Sequence, residues 1–251
     1  MSELKMLALD IETAPALVYS FSAYDTTIGY NQVVEYPRII AFSAQWKGKK
    51  KVEFYSEYHQ SRGEMLKALH DLIDEADLVV TYNGDRFDLP WISGEFIAEK
   101  MTPPSPVMKV DLFKVIKSNT RWFHKKLDVV SSRLLGDRKV PHQGFGLWMD
   151  CLRGDEETKR KAWALMKKYA VKDTALLWPL FEELKGWVKM PHPVSTEPGL
   201  VCRNCGGKHL QRRGTAKTLQ GEYARYQCME PGCGAWNRGT LRTPVGETRA
   251  V

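Results

Sequence analysis

Long apolar runs are missing from this sequence, although 43% of its 251 residues are hydrophobic. A membrane-spanning helix needs about 18 or more consecutive apolar residues, so the composition excludes a helical membrane protein. The amino terminus has no basic segment followed by an apolar core, which predicts that no secretory signal is present. Internal repeats and low-complexity tracts are also missing. The length and apolar content instead fit one large domain, or one domain with a small appendage.

Cysteine is scarce and unevenly distributed along the chain. There are five cysteines, an odd number, and four of them follow residue 200. Secreted domains that depend on disulfides usually have many cysteines and an even number of them, so this distribution favours a reducing compartment. We therefore expect a cytoplasmic protein. Cys151 stands apart from the other four, and its simplest interpretation is a buried or inert thiol.

Acidic residues do not balance the basic ones. The net charge is +7 and the pI is about 9.1. Residues 195–251 carry nine Lys or Arg against four Asp or Glu, which leaves a net charge of only +2 for the rest of the chain. This excess predicts a polyanionic partner such as a nucleic acid, although a solvated basic surface is the common alternative.

Apolar patterns of strand type and helix type alternate over residues 1–189, which predicts an α/β domain. Strands are expected at 5–11, 38–46, 51–56, 77–81 and 107–112. Helices are expected at 62–75, 89–100, 125–135 and 157–170, with a last helix that reaches about residue 185. Long loops, which are often functional in compact domains, are expected at 16–36 and 136–150. The proline-rich stretch 190–199 is typical of a linker, which predicts a second domain over 200–251.

The stretch KMLALDIETAP, residues 5–15, places two carboxylates in a run that otherwise has the pattern of a buried strand. Side chains alternate across a strand, so Asp10 and Glu12 share one face while Leu9 and Ile11 point to the other. Two like charges on an apolar strand repel each other, and burying them is costly unless a cation lies between them. A divalent metal ion is the usual cation, which predicts that other segments supply further ligands.

Two further segments contain candidate ligands. In VVTYNGDRFDLPWI, residues 79–92, Asp88 begins a predicted helix, and Asp85 competes for the same role from within the preceding turn. In KKYAVKDTALL, Tyr169 and Asp173 are four residues apart and so lie one turn apart on one helix face. Taken singly, each residue has an ordinary explanation as a helix cap or a surface hydrogen bond. The joint pattern is far more specific than any of its parts.

That joint pattern resembles the DEDD exonucleases of the ribonuclease H-like superfamily, which include polymerase proofreading domains. The D-x-E motif stands at residues 10–12, the N-x-x-x-F-D motif at 83–88 and the Y-x-x-x-D motif at 169–173. The resemblance covers residues 5–185 and is strongest to the exonuclease domain of family B DNA polymerases and its stand-alone prokaryotic and phage relatives. A sister branch carries histidine where Lys168 stands here, so this chain resembles the tyrosine branch, DEDDy.

The resemblance implies a ribonuclease H-like mixed sheet flanked by helices, and hydrolysis of phosphodiester bonds with two Mg²⁺ or Mn²⁺ ions. In this scheme Asp10 bridges both ions, and Asp88 holds one of them mainly through water. Glu12 and Asp173 hold the ion that activates the attacking water. Tyr169 orients that water by hydrogen bonding, because its ordinary pKa of about 10 makes it a poor general base.

The same resemblance suggests which residues contact the substrate. Thr13, Ala14 and Asn83 are candidates for gripping the terminal nucleotide. Tyr82 and Trp91 are candidates for stacking on bases, although aromatic residues at such positions more often belong to a core. Single-stranded DNA is the favoured substrate and RNA the alternative. The sequence does not decide between them, because that choice depends on contacts such as those to the 2′-hydroxyl.

Two features depart from the family pattern. Pro179 falls inside the last predicted helix and should kink or end it. No polymerase domain follows the matching segment, so we expect a stand-alone prokaryotic or phage nuclease whose protein partner, if any, is unknown. Two other hypotheses remain open: an RNA-trimming exonuclease or structure-specific endonuclease that uses the same carboxylates, and a non-catalytic nucleic-acid-binding adaptor.

Two cysteine pairs, Cys202 with Cys205 and Cys228 with Cys233, enclose a basic segment of 22 residues. This arrangement resembles a zinc ribbon with a structural Cys₄ site, and a segment of this size with few large apolar groups needs such a staple to fold. His209 is a substitute ligand, but four cysteines already suffice. The Arg, Lys and Tyr content between the pairs favours a ribbon that binds nucleic acid, with protein contact as the alternative.

Overall fold

The structure, a computed structural model, describes residues 4–22, 24, 27–137, 144–189, 199–218 and 221–243, without the side chains of 241–243. The chain divides into two compact units, Met1–Leu180 and Phe181–Val251. Nine of the ten residues of the predicted linker 190–199 lie outside the described residues, as do residues 138–143 of a predicted loop. The domain boundaries expected from the sequence therefore stay a prediction.

The first unit contains strands and helices in alternation. Its strands are β1 (Met6–Thr13), β2 (Leu17–Val18), β3 (Val33–Glu35), β4 (Ile39–Trp46), β5 (Glu53–Ser56), β6 (Leu78–Thr81) and β7 (Met108–Asp111). Its helices are α1 (Arg62–Glu75), α2 (Asp88–Ala98), α3 (Leu112–Asn119), α4 (Leu127–Leu135), α5 (Phe145–Arg153) and α6 (Glu156–Leu184), which continues into the second unit.

Five strands form one mixed sheet in the order β5-β4-β1-β6-β7. The order arises because β1 pairs antiparallel with β4 and parallel with β6, while β5 and β7 extend the two edges. Strands β2 and β3 pair separately as a short antiparallel ribbon. This arrangement confirms the mixed α/β class that was predicted from the sequence.

The central strand β1 is apolar because helices cover both faces of the sheet. On one face Leu9 and Ile11 pack with apolar residues of α1 and α2. On the other face Ile40 and Ala41 pack with residues of α5 and α6, including Met166. The sheet is therefore the middle of three layers, and Asp10 and Glu12 interrupt an otherwise continuous apolar strand.

Two helices were not expected from the sequence. Asp111, interpreted as part of a strand that reaches residue 112, ends β7 and caps α3, because its carboxylate accepts hydrogen bonds from the N–H groups of Phe113 (3.0 Å) and Lys114 (3.4 Å). Part of the loop expected at 136–150 is helical, since α5 buries Leu147 and Cys151, one turn apart, against α6. The predicted loop 16–36 also contains β2, β3 and a short 3₁₀ turn at Tyr30–Gln32.

The last two predicted helices form one continuous helix of 29 residues, and Pro179 does not end it. Proline removes one intrahelical hydrogen bond and usually breaks a helix. Here Leu176, Leu177 and Leu180 flank the proline and are at most 2% exposed. Burial of these side chains holds the helix through the proline, because each fully buried leucine contributes about 1.5–3 kcal/mol.

The second unit contains a three-stranded antiparallel sheet in the order β10-β9-β8. Its strands are β8 (Leu210–Thr218), β9 (Gly221–Cys228) and β10 (Trp236–Thr243). Cys202, Cys228 and Cys233 are buried together with Ala235, and they form a small core beside the sheet. Over the described residues of both units, no helix combines the length and the apolar character that crossing a membrane requires.

Candidate active site

The carboxylates of β1 lie where the sheet changes its hydrogen-bonding partner. Strand β6 pairs with β1 only as far as Ala8, whereas β4 continues along β1 beyond Glu12. Asp10 is half-buried and Glu12 is 8% exposed. Because β6 ends early, the backbone of β1 next to these carboxylates needs a different partner on that side.

Asp88 provides that partner. Its Oδ1 accepts a hydrogen bond at 3.0 Å from the N–H of Ile11, the residue between Asp10 and Glu12. Asp88 is the first residue of α2 and is only 2% exposed. Burial raises the pKa of the Asp88 carboxyl to about 7, although the N–H bonds from Ile11 and from Asp88 itself oppose that change. The first and second motifs are therefore in direct contact.

The competing candidate, Asp85, is held elsewhere. Its carboxylate forms an ion pair with Lys114 of α3. Its N–H donates to Asp111 at 3.4 Å, and the Asn83 N–H donates to the same carboxylate at 2.8 Å. Asp85 is thus part of the turn between β6 and α2, whereas Asp88 reaches β1.

Asp111 is a residue near the site that the sequence interpretation missed. It is 6% exposed, it holds the turn that contains Asn83, and its charge helps to raise the pKa of Asp88. The available signal was an aspartate directly before LFKVIK, a pattern that also fits the start of a helix. The register of the sheet places Asp111 beside Thr81, at the carboxyl end of β6.

Tyr169 and Asp173 reach the same region from α6. Tyr169 is 9% exposed and Asp173 is 2% exposed. Burial raises the pKa of Tyr169 strongly, and the nearby charges of Asp173, Glu12 and Asp10, together with a hydrogen bond to Asp173, raise it further. The phenol is therefore neutral at ordinary pH. Three carboxylates from two elements lie close enough to affect this one hydroxyl.

The three residues expected to bind the terminal nucleotide differ in whether they are free to contact a ligand. The Ala14 N–H donates to the Arg38 carbonyl at 2.8 Å, so this group is already used within the fold. Thr13 is half-buried at a bulge that ends β1. Asn83 has a positive φ of 69°, a conformation that asparagine tolerates better than most residues. Of these three residues, Asn83 lines the cavity beside Asp10.

A cavity of about 740 Å³ opens beside Asp10 and Tyr169. Its other lining residues include basic and aromatic side chains, and Phe123 among them is 93% exposed. Tyr82 also lines the cavity, but its hydroxyl donates to the Lys125 carbonyl at 2.6 Å. Trp91 packs instead against the apolar core of the sheet. The remaining lining residues are Phe113, Lys117, Lys125, Lys126, Leu127 and Asp128.

The donor set of the carboxylate group fits hard divalent ions. All of its ligand atoms are carboxylate oxygens, which Mg²⁺ and Mn²⁺ prefer. Asp88 and Asp173 are almost completely buried, and negative charge in such surroundings is costly without a cation. The distances between these carboxylate oxygens are longer than those within a compact metal-ligand group. Among the described residues, only four cysteines of the second unit form such a group.

The four cysteine sulfurs of the second unit form that compact group, with all Sγ atoms within 4.8 Å of one another. Cys202 and Cys233 are 3.8 Å apart, and Cys205 and Cys228 are 3.6 Å apart. These separations are too long for disulfides, whose sulfurs lie about 2.05 Å apart. They match the separation of about 3.8 Å between thiolates placed about 2.3 Å from one tetrahedral zinc ion.

Backbone and side-chain N–H groups donate hydrogen bonds to sulfurs of this group. Cys202 Sγ accepts from the Asn204 N–H and from Asn237 Nδ2, each at 3.4 Å. Burial alone would raise the pKa of Cys202, but N–H donors outweigh it and lower the pKa to about 7. Burial raises the pKa of Cys205 to about 11. His209 donates its N–H to Glu230 at 3.2 Å and is not a member of the group.

Comparisons with known proteins match this chain to one family model and to solved structures. The family model RNase_H_2, described as the RNase_H superfamily, matches residues 7–185. Among solved structures, the chain is similar to the family B DNA polymerase from the hyperthermophilic archaeon Pyrobaculum calidifontis, with a TM-score of 0.53 and 17% identity. That match covers 73% of this chain but only 25% of the polymerase, and at this identity it shows the fold alone. No curated relative was found by sequence.

Proposed function

Because the chain belongs to the RNase H superfamily, we propose that it is a metal-dependent 3′→5′ exonuclease of the DEDDy branch. The observation that carries this proposal is the meeting of three distant segments at one group of carboxylates. Asp88 contacts the backbone between Asp10 and Glu12, and the charges of β1 and of Asp173 both act on Tyr169 of α6. A fold maintained only for binding would have no need to bury so much like charge in one place.

In this proposal Asp10, Glu12, Asp88 and Asp173 hold two Mg²⁺ or Mn²⁺ ions. When bound, these ions would acidify a water molecule and neutralise charge on the phosphate and the leaving oxygen. Asp88 has to lose its proton before it can act as a ligand, and its raised pKa makes ion binding depend on pH near neutrality.

Tyr169 positions the nucleophile in this scheme. Its neutral hydroxyl donates to Asp173 and keeps the oxygen close to the carboxylates of β1. A phenol with a strongly raised pKa does not act as a base, but its oxygen can accept a hydrogen bond from the attacking water. Trp148, whose ring centre lies 6.2 Å from that of Tyr169, limits the movement of the ring.

The cavity suggests how the substrate lies. Lys117, Lys125 and Lys126 line it within reach of a phosphodiester backbone, and the exposed ring of Phe123 offers a surface for base stacking. Stacking of this kind requires unpaired bases, so single-stranded DNA is the substrate that we favour, with RNA as the alternative. A single-stranded end fits the 3′→5′ polarity that the resemblance to the DEDD exonucleases implies.

We also propose that the four cysteines hold one structural zinc ion, which makes the second unit a zinc ribbon. All four ligand positions would be occupied by thiolates, so this ion would have no open position for chemistry. A cytoplasmic location agrees with the reduced state that this site requires.

The test is an incubation of 5′-labelled single-stranded DNA and RNA with the purified chain in Mg²⁺, Mn²⁺ or a chelator. We expect a ladder that shortens from the 3′ end and disappears in the chelator. Asp88→Asn should abolish the ladder, and the matched control Asp85→Asn, which alters an aspartate of the same turn, should retain it. Internal cuts would indicate an endonuclease, and binding without any cleavage in either metal would support the adaptor hypothesis instead.

A further inference from the structure

One face of the sheet in the second unit carries aromatic rings and guanidinium groups in alternation. On β9, Tyr223 and Arg225 are two residues apart and project to the same side, as do Trp236 and Arg238 on β10. The strand register pairs Arg225 directly with Arg238, so all four side chains share one side of the sheet. We call these four residues the arginine–aromatic face.

The rings and guanidinium groups of this face are stacked on one another across the strands. The Arg225 guanidinium lies 4.9 Å from the centre of the Trp236 ring, and that of Arg238 lies 4.5 Å from the centre of the Tyr223 ring. Both distances are within the range of cation–π contacts. Trp236 is 56% exposed and both arginines are exposed, so the stacked groups present their outer sides to solvent.

The charge of this face is not compensated within the described part of the chain. Arg225 and Arg238 oppose each other directly, and like charges at directly opposite positions destabilise a sheet. Arg225 Nε donates to the Arg213 carbonyl at 3.1 Å, but neither arginine forms an ion pair with a carboxylate among the described residues. Residues 195–251 also carry most of the excess positive charge of the whole sequence. An anionic ligand would remove this repulsion.

We propose that the arginine–aromatic face binds single-stranded nucleic acid, with phosphates on the two arginines and a base stacked on Trp236. A polyanion fits the charge, and unpaired bases fit the exposed ring, since stacking of bases on aromatic side chains is the common mode of single-strand binding. This surface contains none of the residues of the carboxylate group, and the proposal does not depend on catalysis.

The test uses the full-length chain in buffer without added divalent metal, so that no hydrolysis occurs. Fluorescence anisotropy measures the affinity for labelled oligo(dT) at several KCl concentrations. Arg225→Gln with Arg238→Gln should lower the affinity roughly tenfold and reduce the slope of log K against log [KCl] by about 1.4, because two phosphate contacts are lost. Trp236→Ala should weaken binding by about 5- to 140-fold, the range for one stacked base.

The matched control is Arg212→Gln with Lys217→Gln. Both residues are exposed, and β8 pairs them with Tyr226 and Glu222, which project to the opposite side of the sheet from Arg225. This control removes the same charge and should retain most of the affinity. Equal losses in the two double variants would overturn the proposal, because net charge alone would then explain binding.

Photo-cross-linking gives a second measurement that does not depend on the folding of any variant. Oligonucleotides that carry 4-thiothymidine should cross-link wild-type peptides that contain Tyr223 or Trp236. Cross-links confined to the first unit would overturn the proposal, as would equal affinity of wild type and Trp236→Ala when circular dichroism shows both to be folded. A chain that cross-links through this face but cleaves nothing would retain this inference and contradict the proposed exonuclease activity.

Discussion

Replacing Asp88 by Asn and by Ala separates two roles that this carboxylate has in the fold. The Ile11 N–H lies in a buried strand, and Asp88 Oδ1 is its hydrogen-bond acceptor at 3.0 Å. Asparagine keeps a carbonyl oxygen at that position, whereas alanine leaves the N–H without it. A buried donor without a partner costs about 1–3 kcal/mol, so Asp88→Ala should be less stable than Asp88→Asn by that amount at any pH.

The pH dependence of stability measures the cost of ionising the buried Asp88 carboxyl. Burial raises the pKa of Asp88 from 3.8 in the unfolded chain to about 7 in the folded one. Between these values the folded state keeps a proton that the unfolded state has released, so the stability of the metal-free protein falls as pH rises. The fall is about 1.4 kcal/mol per pH unit between about pH 4 and 7, with no further loss above that window. Asp88→Asn should therefore match wild type near pH 4 and exceed it by up to about 4 kcal/mol at pH 8.

Urea unfolding followed by tryptophan fluorescence measures these differences. Six of the eight tryptophans belong to the first unit, so its transition dominates the signal. The control is Asp85→Asn, because Asp85 is half-buried in the same turn and pairs with Lys114. Equal unfolding free energies for Asp88→Asn and Asp88→Ala would refute the role of the Ile11 hydrogen bond. A stability that rises between pH 4 and 7, relative to Asp88→Asn, would refute the raised pKa.

Four further outcomes follow from the same contacts. Asp10→Asn should lower exonuclease turnover by at least about 10³-fold in Mg²⁺ without loss of stability, as measured on a labelled oligonucleotide and by urea unfolding. Tyr169→Phe should be milder, with a loss of about 10- to 100-fold, because bound ions would still acidify the water; a loss equal to that of Asp10→Asn would contradict a positioning role. Asp111→Ala should cost about 1–3 kcal/mol of unfolding free energy through the α3 cap and the N–H of Asn83, with Asp111→Asn closer to wild type. Purified chain should contain about one zinc ion by elemental analysis, and a protein without zinc would contradict the Cys₄ site.

The sequence was sufficient to predict the sheet because its signals are local, and the carboxylate motifs rest on equally local patterns, although their roles stay a prediction. The apolar run around Asp10 and Glu12 indicates a buried strand, and the four-residue spacing of Tyr169 and Asp173 places them on one side of a helix. All five strands predicted from such patterns are present in the main sheet. The cysteine spacing was likewise enough to predict that four sulfurs come together.

Contacts between residues that are distant in the sequence could not be predicted from local patterns. The sequence around Ile11 does not show that its N–H would bind Asp88. That hydrogen bond is possible only because the pairing of β6 with β1 stops at Ala8. Asp111 has the pattern of a strand residue and of a helix cap at once, and only the fold shows that it is both. Pro179 normally argues against a continuous helix, and the burial of the leucines around it decides otherwise.

The alternation of side chains along β10 connects the redox state of the cysteines to the arginine–aromatic face. Asn237 lies between Trp236 and Arg238 and points to the other side, where Nδ2 donates to Cys202 Sγ and Oδ1 accepts from the Arg203 N–H at 2.8 Å. Oxidation of the thiols to disulfides would pull sulfurs now 3.6–3.8 Å apart to about 2.05 Å, which would displace the sulfur that accepts from Asn237 and make it a weaker acceptor. Oxidants should thus release the segment that positions Trp236 and Arg238, so that peroxide weakens single-strand binding and a reductant followed by zinc restores it.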